Sequence, residues 1–200
     1  NSFNGKTLVW EKKIPFVKEL SVMCVRDLDG NVASYPVTEN IHINNILDIT
    51  IAPARVSKKV TQDAKAIAEN IATQLDIVGT FCVEMFLLQN NKILVNEIAP
   101  RPHNSGHYTI DACVTSQFEQ QLRAITGLPL GSTELRNPAV MVNLLGDGKG
   151  NRLSGVDKIL QDPRIRFHLY GKQEAKAHRK MGHFTVQDKN VEEALATAYA

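Results

Sequence analysis

Apolar and polar positions along this chain follow two periods, and the switches between them mark out its elements. From Phe16 to Arg26 the residues alternate, with Glu19, Ser21, Met23 and Val25 on one face and Lys18, Leu20, Val22 and Cys24 on the other, which is the period of a strand. Asp29-Gly30 follows, and Val32 to Tyr35 resumes β-rich composition, so a type I′ hairpin with positive φ at both central residues is expected. Ile41 to Pro53 reads as loop and strand. Ala64, Ile67, Ala68, Ile71 and Leu75 then fall at helical spacing behind Thr61 as N-cap, predicting a helix that covers a sheet. Thr80 to Leu88 and Lys92 to Ile98 are joined through Gln89-Asn90-Asn91 and are apolar on both faces, which predicts a hairpin inside the sheet, buried on both sides. Ser116 to Thr126 repeats the helical pattern through Phe118, Leu122 and Ile125 and is stopped by Gly127 and Leu128-Pro129.

A polar stretch from Gly131 to Asn137 ends at Pro138, and Ala139 to Leu145 opens a further strand and a smaller unit. Gly146-Asp147-Gly148-Lys149-Gly150 reads as a turn, because it lacks the terminal Lys-Ser or Lys-Thr of a phosphate-binding loop. Arg164 to Tyr170 and His183 to Val186 look like short strands, and Val191 to Ala200 like a helix with Asn190 as cap and Glu193 in its first turn. The expected class is α+β, an antiparallel sheet flanked by helices over residues 1–126 and a small β-rich unit over 127–200.

Composition narrows the function classes. The 23 basic and 21 acidic residues leave a net charge of +2, so no whole-chain field draws in nucleic acid or an anionic membrane, and any anion site must be local. Cys24, Cys82 and Cys113 are far apart in apolar runs, which argues against a disulfide framework or a zinc cluster and for a reducing compartment. No apolar run has the length of a membrane span and no signal peptide is visible, so a cytoplasmic protein is expected. Asn1 to Thr7 carries no initiator methionine, which suggests a fragment.

Three constellations carry chemistry. If the turn is centred between Asn90 and Asn91, facing residues have numbers that sum to 181, and Glu84 lies opposite Glu97 among Val83, Phe86, Val95 and Ile98. Like charges so placed destabilise a sheet unless neutralised, and Mg²⁺ does this while bridging to phosphate oxygens; a slipped register, or a lysine partner, is the alternative. Next, Asn96 to His107 is a strand end stiffened by two prolines, with Arg101 and His103 projecting beside the carboxylates. A guanidinium fork there suits a carboxylate, bicarbonate or phosphate, although Arg101 could merely pair with a glutamate and His103 cap the next helix. Last, Lys172, Lys176, His178, Arg179, Lys180 and His183 crowd between Gly171 and His183, a composition that suits a phosphate monoester or a solvated face.

The runs VEMF, ILVNEIAPRPHNSGHYTIDA and QFEQQLRAITGLPLG, with EKKIPFVKELSV, YPVTENIHINNIL and HLYGKQEAKAHRKMGH, closely resemble the 5-(carboxyamino)imidazole ribonucleotide synthase family of ATP-grasp enzymes over almost the whole chain. The resemblance implies an ATP-grasp C-terminal subdomain followed by a small β-rich domain. It implies ATP and Mg²⁺, with Glu11, Lys12, Lys13 and Ile14 as the adenine hinge, Glu19 on the ribose, His42 and Asn96 at the nucleotide, and Glu84 and Glu97 on the metal. Arg101 and His103, the catalytic pair, match residues that handle bicarbonate and its activated form, with Asn104 beside them. Lys172, Arg179 and Lys180 match those that grip the phosphate of 5-aminoimidazole ribonucleotide. His103 is expected to orient or move a proton, since its reference pKa lies near working pH. Ala99 stands where many ATP-grasp members carry a third metal contact, which leaves the metal shell incomplete. The family also implies a homodimer, and N-terminal and central units whose absence from this sequence would leave it with little ligase activity alone. Another ATP-grasp ligase, such as formate-dependent glycinamide ribonucleotide transformylase, or a non-catalytic nucleotide-binding module, is the competing reading.

Overall fold

The computed structural model describes residues 5, 7–148 and 153–200. Residues 7–15 run without regular structure into β1 (Phe16–Arg26), whose alternation is realised as read: Leu20, Val22 and Cys24 enter one buried cluster, whereas Met23 enters the opposite one. β1 turns into the short β2 (Val32–Ser34) through Leu28-Asp29-Gly30. Within that loop only Gly30 has positive φ, and the Asp27 carboxylate accepts from the backbone of Asp29 and Asn31 and from the Asn31 side chain, so the expected two-residue type I′ turn is a three-residue loop.

The segment read as loop and strand is a second hairpin, β3 (Thr38–Ile43) and β4 (Ile46–Ala52). Asn44 and Asn45 both have positive φ, the backbone of a two-residue type I′ turn, and Asn tolerates it better than other side chains. Helix α1 (Lys58–Gln74) begins earlier than expected, since Ser57 and not Thr61 is the N-cap: the Ser57 hydroxyl accepts from the Val60 amide, and Thr61 lies inside the first turn. Val60, Ala64, Ala68 and Ala72 press α1 onto the sheet, and Leu75, expected on that face, caps its exposed end.

β5 (Gly79–Leu88) and β6 (Ile93–Ala99) form the third hairpin. The loop leads through a 3₁₀ turn (Asn104–Gly106) to α2 (Thr109–Ala112) and α3 (Gln117–Ile125), capped by the Ser116 hydroxyl. α3 packs with the opposite face to the one its periodicity suggested. Gln117, Gln120 and Ala124 are buried, whereas Phe118, Leu122 and Ile125 are 42, 62 and 48% exposed. The inner glutamines are satisfied: Gln120 exchanges two hydrogen bonds with the backbone of Gly131, and Gln121 accepts from the Thr80 amide.

β7 (Ala139–Leu145), α4 (Val156–Ile159), β8 (Ile165–Leu169), β9 (Lys180–Gln187) and α5 (Val191–Tyr199) complete the chain. Asn190 caps α5 as expected. The turn expected at 146–150 lies partly outside the described residues. All strands join one antiparallel sheet in the order β6-β5-β1-β3-β4-β7-β9-β8, with β2 beside β1. β7 pairs directly with β4, so the sheet continues across the connection at 126–138. β5 is internal, but β6 is the edge strand, and its residues 95–97 are exposed where burial on both sides was expected.

Candidate functional site: a polar sheet face under the 100–108 loop

Strand alternation gives the middle of the sheet a face that is apolar under α1 and a face that is polar opposite it. Cross-strand register places Glu19 beside Asn40, Ser21 beside Glu84 and Thr38, and Glu84 beside Glu97. The last pairing is the one that turn arithmetic gave, by compensation. Near the turn facing residues sum to 180, because the loop is Gln89-Asn90-Asn91, and the register then shifts by one between Glu84 and Met85. Asn96 is the extra residue of that bulge, a device that re-aims neighbouring side chains at sheet edges.

The two carboxylates meet at the rim of a cleft of about 520 Å³ lined also by His42, Asn45, Ile46, Leu47, His103, Lys172, His178 and Lys180. Burial, and then the charge of Glu97, push the Glu84 pKa up. Lys180 is pushed down by burial, against the pull of Glu84. His42 Nδ1 lies 2.8 Å from Glu19 Oε2, which fixes the two together at the cleft edge.

The 100–108 loop covers this face and is held at several points. Gln117 clamps His103 at both ends of its peptide unit: the His103 amide donates to Gln117 Oε1 at 2.8 Å, and Gln117 Nε2 donates to the His103 carbonyl at 2.8 Å and to His107 Nδ1 at 2.9 Å. Asn104 exchanges two hydrogen bonds with Asn143 of β7, and Asn143 also donates to the Leu47 carbonyl. His103 Nε2 thereby comes to 3.4 Å from Glu84 Oε1. Burial, with the charges of Arg101 and Lys180, lowers the His103 pKa to about 4, so at neutral pH it is an uncharged hydrogen-bonding group. A proton store poised near neutrality, expected from the reference value, does not fit this environment.

Gly106 leaves no room for a side chain. An added Cβ would sit 2.6 Å from Gln117 Oε1, 2.8 Å from its Cδ and 2.9 Å from Met23 Cγ. Because Gln117 is fixed by its three hydrogen bonds, it cannot swing away without cost. Gly106→Ala is expected to lower stability by about 2 kcal/mol, measured by urea unfolding, through overpacking and loss of the clamp.

The remaining predicted residues are distributed less tightly. Glu11, Lys12 and Lys13 are exposed in the segment before β1 and Ile14 is half-buried. Arg101 is exposed, with its guanidinium on the Pro102 carbonyl. Lys172 donates to the Lys180 carbonyl at 2.6 Å and lies over the Tyr170 ring. Arg179 donates to the Glu174 carbonyl and does not line the cleft. Sequence reading missed Ser21, Asn40, Ser105 and Gln117, which hold the site from beneath. A polar residue such as Ser21 in an apolar run, or Asn40, Ser105 and Gln117 in polar stretches, does not reveal its partners, which lie up to 84 positions away.

Another hollow, of about 620 Å³, lies around Asp111, Arg136, Arg164 and Arg166 on the far part of the sheet. Arg164 there is already engaged with Asp162 and Asp188. Near it, Asp111, His168 and His183 gather, with His168 Nε2 2.8 Å from Asp111 Oδ2 and the two imidazoles stacked.

Known proteins are similar to this chain along most of its length. The ATP-grasp domain family matches residues 2–118, and the phosphoribosylaminoimidazole carboxylase C-terminal domain family matches residues 139–197. The N5-carboxyaminoimidazole ribonucleotide synthase of Bacillus subtilis is 50% identical over 90% of this chain and 46% of its own length. The N5-carboxyaminoimidazole ribonucleotide synthetase of Thermotoga maritima superposes with a TM-score of 0.87 at 52% identity, over 94% of this chain and 52% of that one. The Aspergillus clavatus N5-carboxyaminoimidazole synthase, solved with ADP and 5-aminoimidazole ribonucleotide, gives 0.87 at 42% identity, over 91% of this chain and 50% of that one. The chain thus spans about half the length of such relatives, or less. With a family match over more than half of its residues, the chain belongs to the ATP-grasp family.

Proposed function

We propose that this chain supplies part of the active site of an ATP-dependent ligase that carboxylates 5-aminoimidazole ribonucleotide with bicarbonate, giving 5-(carboxyamino)imidazole ribonucleotide, ADP and phosphate in purine synthesis. The observation that carries the reading is the meeting of Glu84 and Glu97 with His103, Lys172 and Lys180 around one cleft. Burial, and then the facing charge of Glu97, raise the Glu84 pKa, and two carboxylates brought together in this way are a donor set that fits a hard divalent cation. Glu84 and Glu97 would hold Mg²⁺, which when bound would neutralise phosphate charge.

The division of labour follows the sheet. Residues 1–126 would take nucleotide and metal, with Glu11 to Ile14 along the adenine, Glu19 and His42 at the ribose end, and Asn96 beside the phosphates. Residues 127–200 would bind the ribonucleotide phosphate through Lys172, Lys180 and Arg179. A bicarbonate oxygen attacks the γ-phosphorus, ADP leaves, and the exocyclic amine of the ribonucleotide then attacks the activated carbon with release of phosphate. Arg101 holds the anion, Asn104 fixes the loop against β7, and His103 donates a hydrogen bond to an oxygen of bicarbonate or its activated form. Buried, unpaired cysteines fit a reducing cytoplasm, and no described helix is long and apolar enough to cross a membrane. The homodimer implied by the resemblance would bury the outward stripe of α3, since a two-fold interface needs one self-complementary apolar patch.

The test is phosphate release from ATP by this chain together with the half of the relatives that it does not span. Release that requires both bicarbonate and 5-aminoimidazole ribonucleotide supports the reading; release that requires formate and glycinamide ribonucleotide, or none at all, rejects it. Lys172→Ala is expected to raise KM for the ribonucleotide about tenfold to a hundredfold, by loss of one charge-assisted contact, with KM for ATP little changed.

A further inference from the structure

We propose that Ser105 is a positioning residue: its hydroxyl and its own backbone N–H fix the tautomer of His103 that carries the proton on Nε2, aimed at Glu84. A buried polar chain that crosses three strands leads to Ser105, and each of its hydroxyls has one proton to place. Thr50 on β4 donates from Oγ1 to Asn40 Oδ1 at 3.0 Å. Asn40 on β3 donates from Nδ2 to Ser21 Oγ at 2.9 Å, and Ser21 on β1 donates to Ser105 Oγ at 2.9 Å. A hydroxyl has a single proton. Ser21 has committed its proton to Ser105, so the Thr38 hydroxyl, 2.7 Å from Ser21 Oγ and 3.2 Å from the Ser21 carbonyl, shares its one proton between these two acceptors.

Ser105 is fully buried and receives the end of this chain, so its own proton must go elsewhere. Two acceptors are in reach: His103 Nδ1 at 2.9 Å and Cys82 Sγ at 3.7 Å. Sulfur is the weaker acceptor, and the imidazole nitrogen is much closer. The Ser105 amide supplies an independent observation, because it also points at Nδ1, at 3.4 Å. Two donors therefore converge on one ring nitrogen. Were Nδ1 protonated, it would face the Ser105 amide proton, and Nε2 would turn a lone pair towards Glu84 Oε1 at 3.4 Å. With the proton on Nε2, both conflicts disappear.

The consequence for the cleft is a neutral imidazole that presents an N–H donor to an oxyanion, held by a serine that itself touches no substrate. This rests on the reading of His103 as the group beside the substrate, but the tautomer itself can be observed without turnover.

The experiment is long-range ¹H–¹⁵N correlation on the ¹⁵N-histidine chain at pH 7, with the His103 resonances identified by their loss in His103→Gln. The expected result is an unprotonated Nδ1 and a protonated Nε2, shifting to a mixture of both tautomers in Ser105→Ala, where only the backbone donor is left. An Nδ1–H tautomer in the wild type, or a Ser105→Ala spectrum with the wild-type tautomer intact, overturns the proposal. If Ser105→Ala does not fold, the wild-type tautomer alone decides between the two. An Nε2–H tautomer in a protein without carboxylase activity would reject the proposed function and leave this inference standing.

Discussion

Glu84→Gln, Glu97→Gln is expected to make the protein more stable and to abolish the phosphate release proposed for the chain joined to the half of its relatives that it does not span. The two carboxylates face each other across β5 and β6 on one side of the sheet. Like charges directly opposite cost a sheet up to about 1 kcal/mol, and here burial adds to the penalty on Glu84. The glutamines keep the shape and remove the repulsion, so unfolding without metal should move to higher urea, by about 1 kcal/mol. Turnover should fall on the order of a thousandfold or more, because charge on the transferring phosphoryl group would lose its counter-ion. A gain in stability coupled to a loss of activity is the behaviour of groups placed for chemistry at the expense of the fold. A double variant that loses both stability and activity would instead make the pair a structural element.

The second large effect is acid lability set by buried imidazoles, His107 and His183 together with His103, whose pKa is likewise lowered to about 4. His107 and His183 pack with their rings tilted by 45°, 5.1 Å between ring centroids, with Tyr170 against His183 and Gln117 donating to His107. His183 is 1% exposed and its Nε2 has no hydrogen-bond partner. Burial above all, helped by Lys180 and His168 at His107 and by His107 and His168 at His183, lowers the pKa of His107 to about 4 and of His183 to about 3, from 6.5 in the unfolded chain. Between those values the unfolded state binds protons that the folded state refuses, so stability is full above pH 6.5 and falls as the pH drops towards 4. At 1.36 kcal/mol per unit, each imidazole removes on the order of 3 kcal/mol by pH 4. Such a sum is comparable with the whole stability of many domains. Urea unfolding at pH 7 and pH 4.5 should show this fall, and His183→Phe should reduce it by about a third while losing about 1 kcal/mol at pH 7, where the Tyr170 hydroxyl is left without its partner.

What could be read from the sequence was whatever repeats locally. Alternation in β1 assigned each residue to its face, and turn arithmetic put Glu84 against Glu97, although the turn centres on Asn90 and the bulge at Asn96 was invisible, two departures that happened to cancel. Periodicity reports spacing and not direction, which is why the apolar stripe of α3 was found but its outward orientation was not: the inner face is filled by glutamines that only tertiary partners satisfy. The Asn44-Asn45 turn was missed because asparagine pairs are a weaker turn signal than Asn-Gly. Ser21, Asn40 and Ser105 left no trace, since a buried hydroxyl is recognised only from the donors around it. The resemblance carried residue roles that no pattern could assign, and the structure contributes what resemblance lacks: His103 is held uncharged, and Asn104 has its amide tied to Asn143.

The most direct test of the carboxylate pair as a divalent-cation site is paramagnetic broadening of the chain's amide spectrum by Mn²⁺ in the presence of ADP. Broadening centred on Glu84, Glu97 and His103 that disappears in the double glutamine variant is the predicted result. Broadening that is absent at saturating metal, that centres on Asp111, His168 and His183, or that survives the double substitution would contradict it.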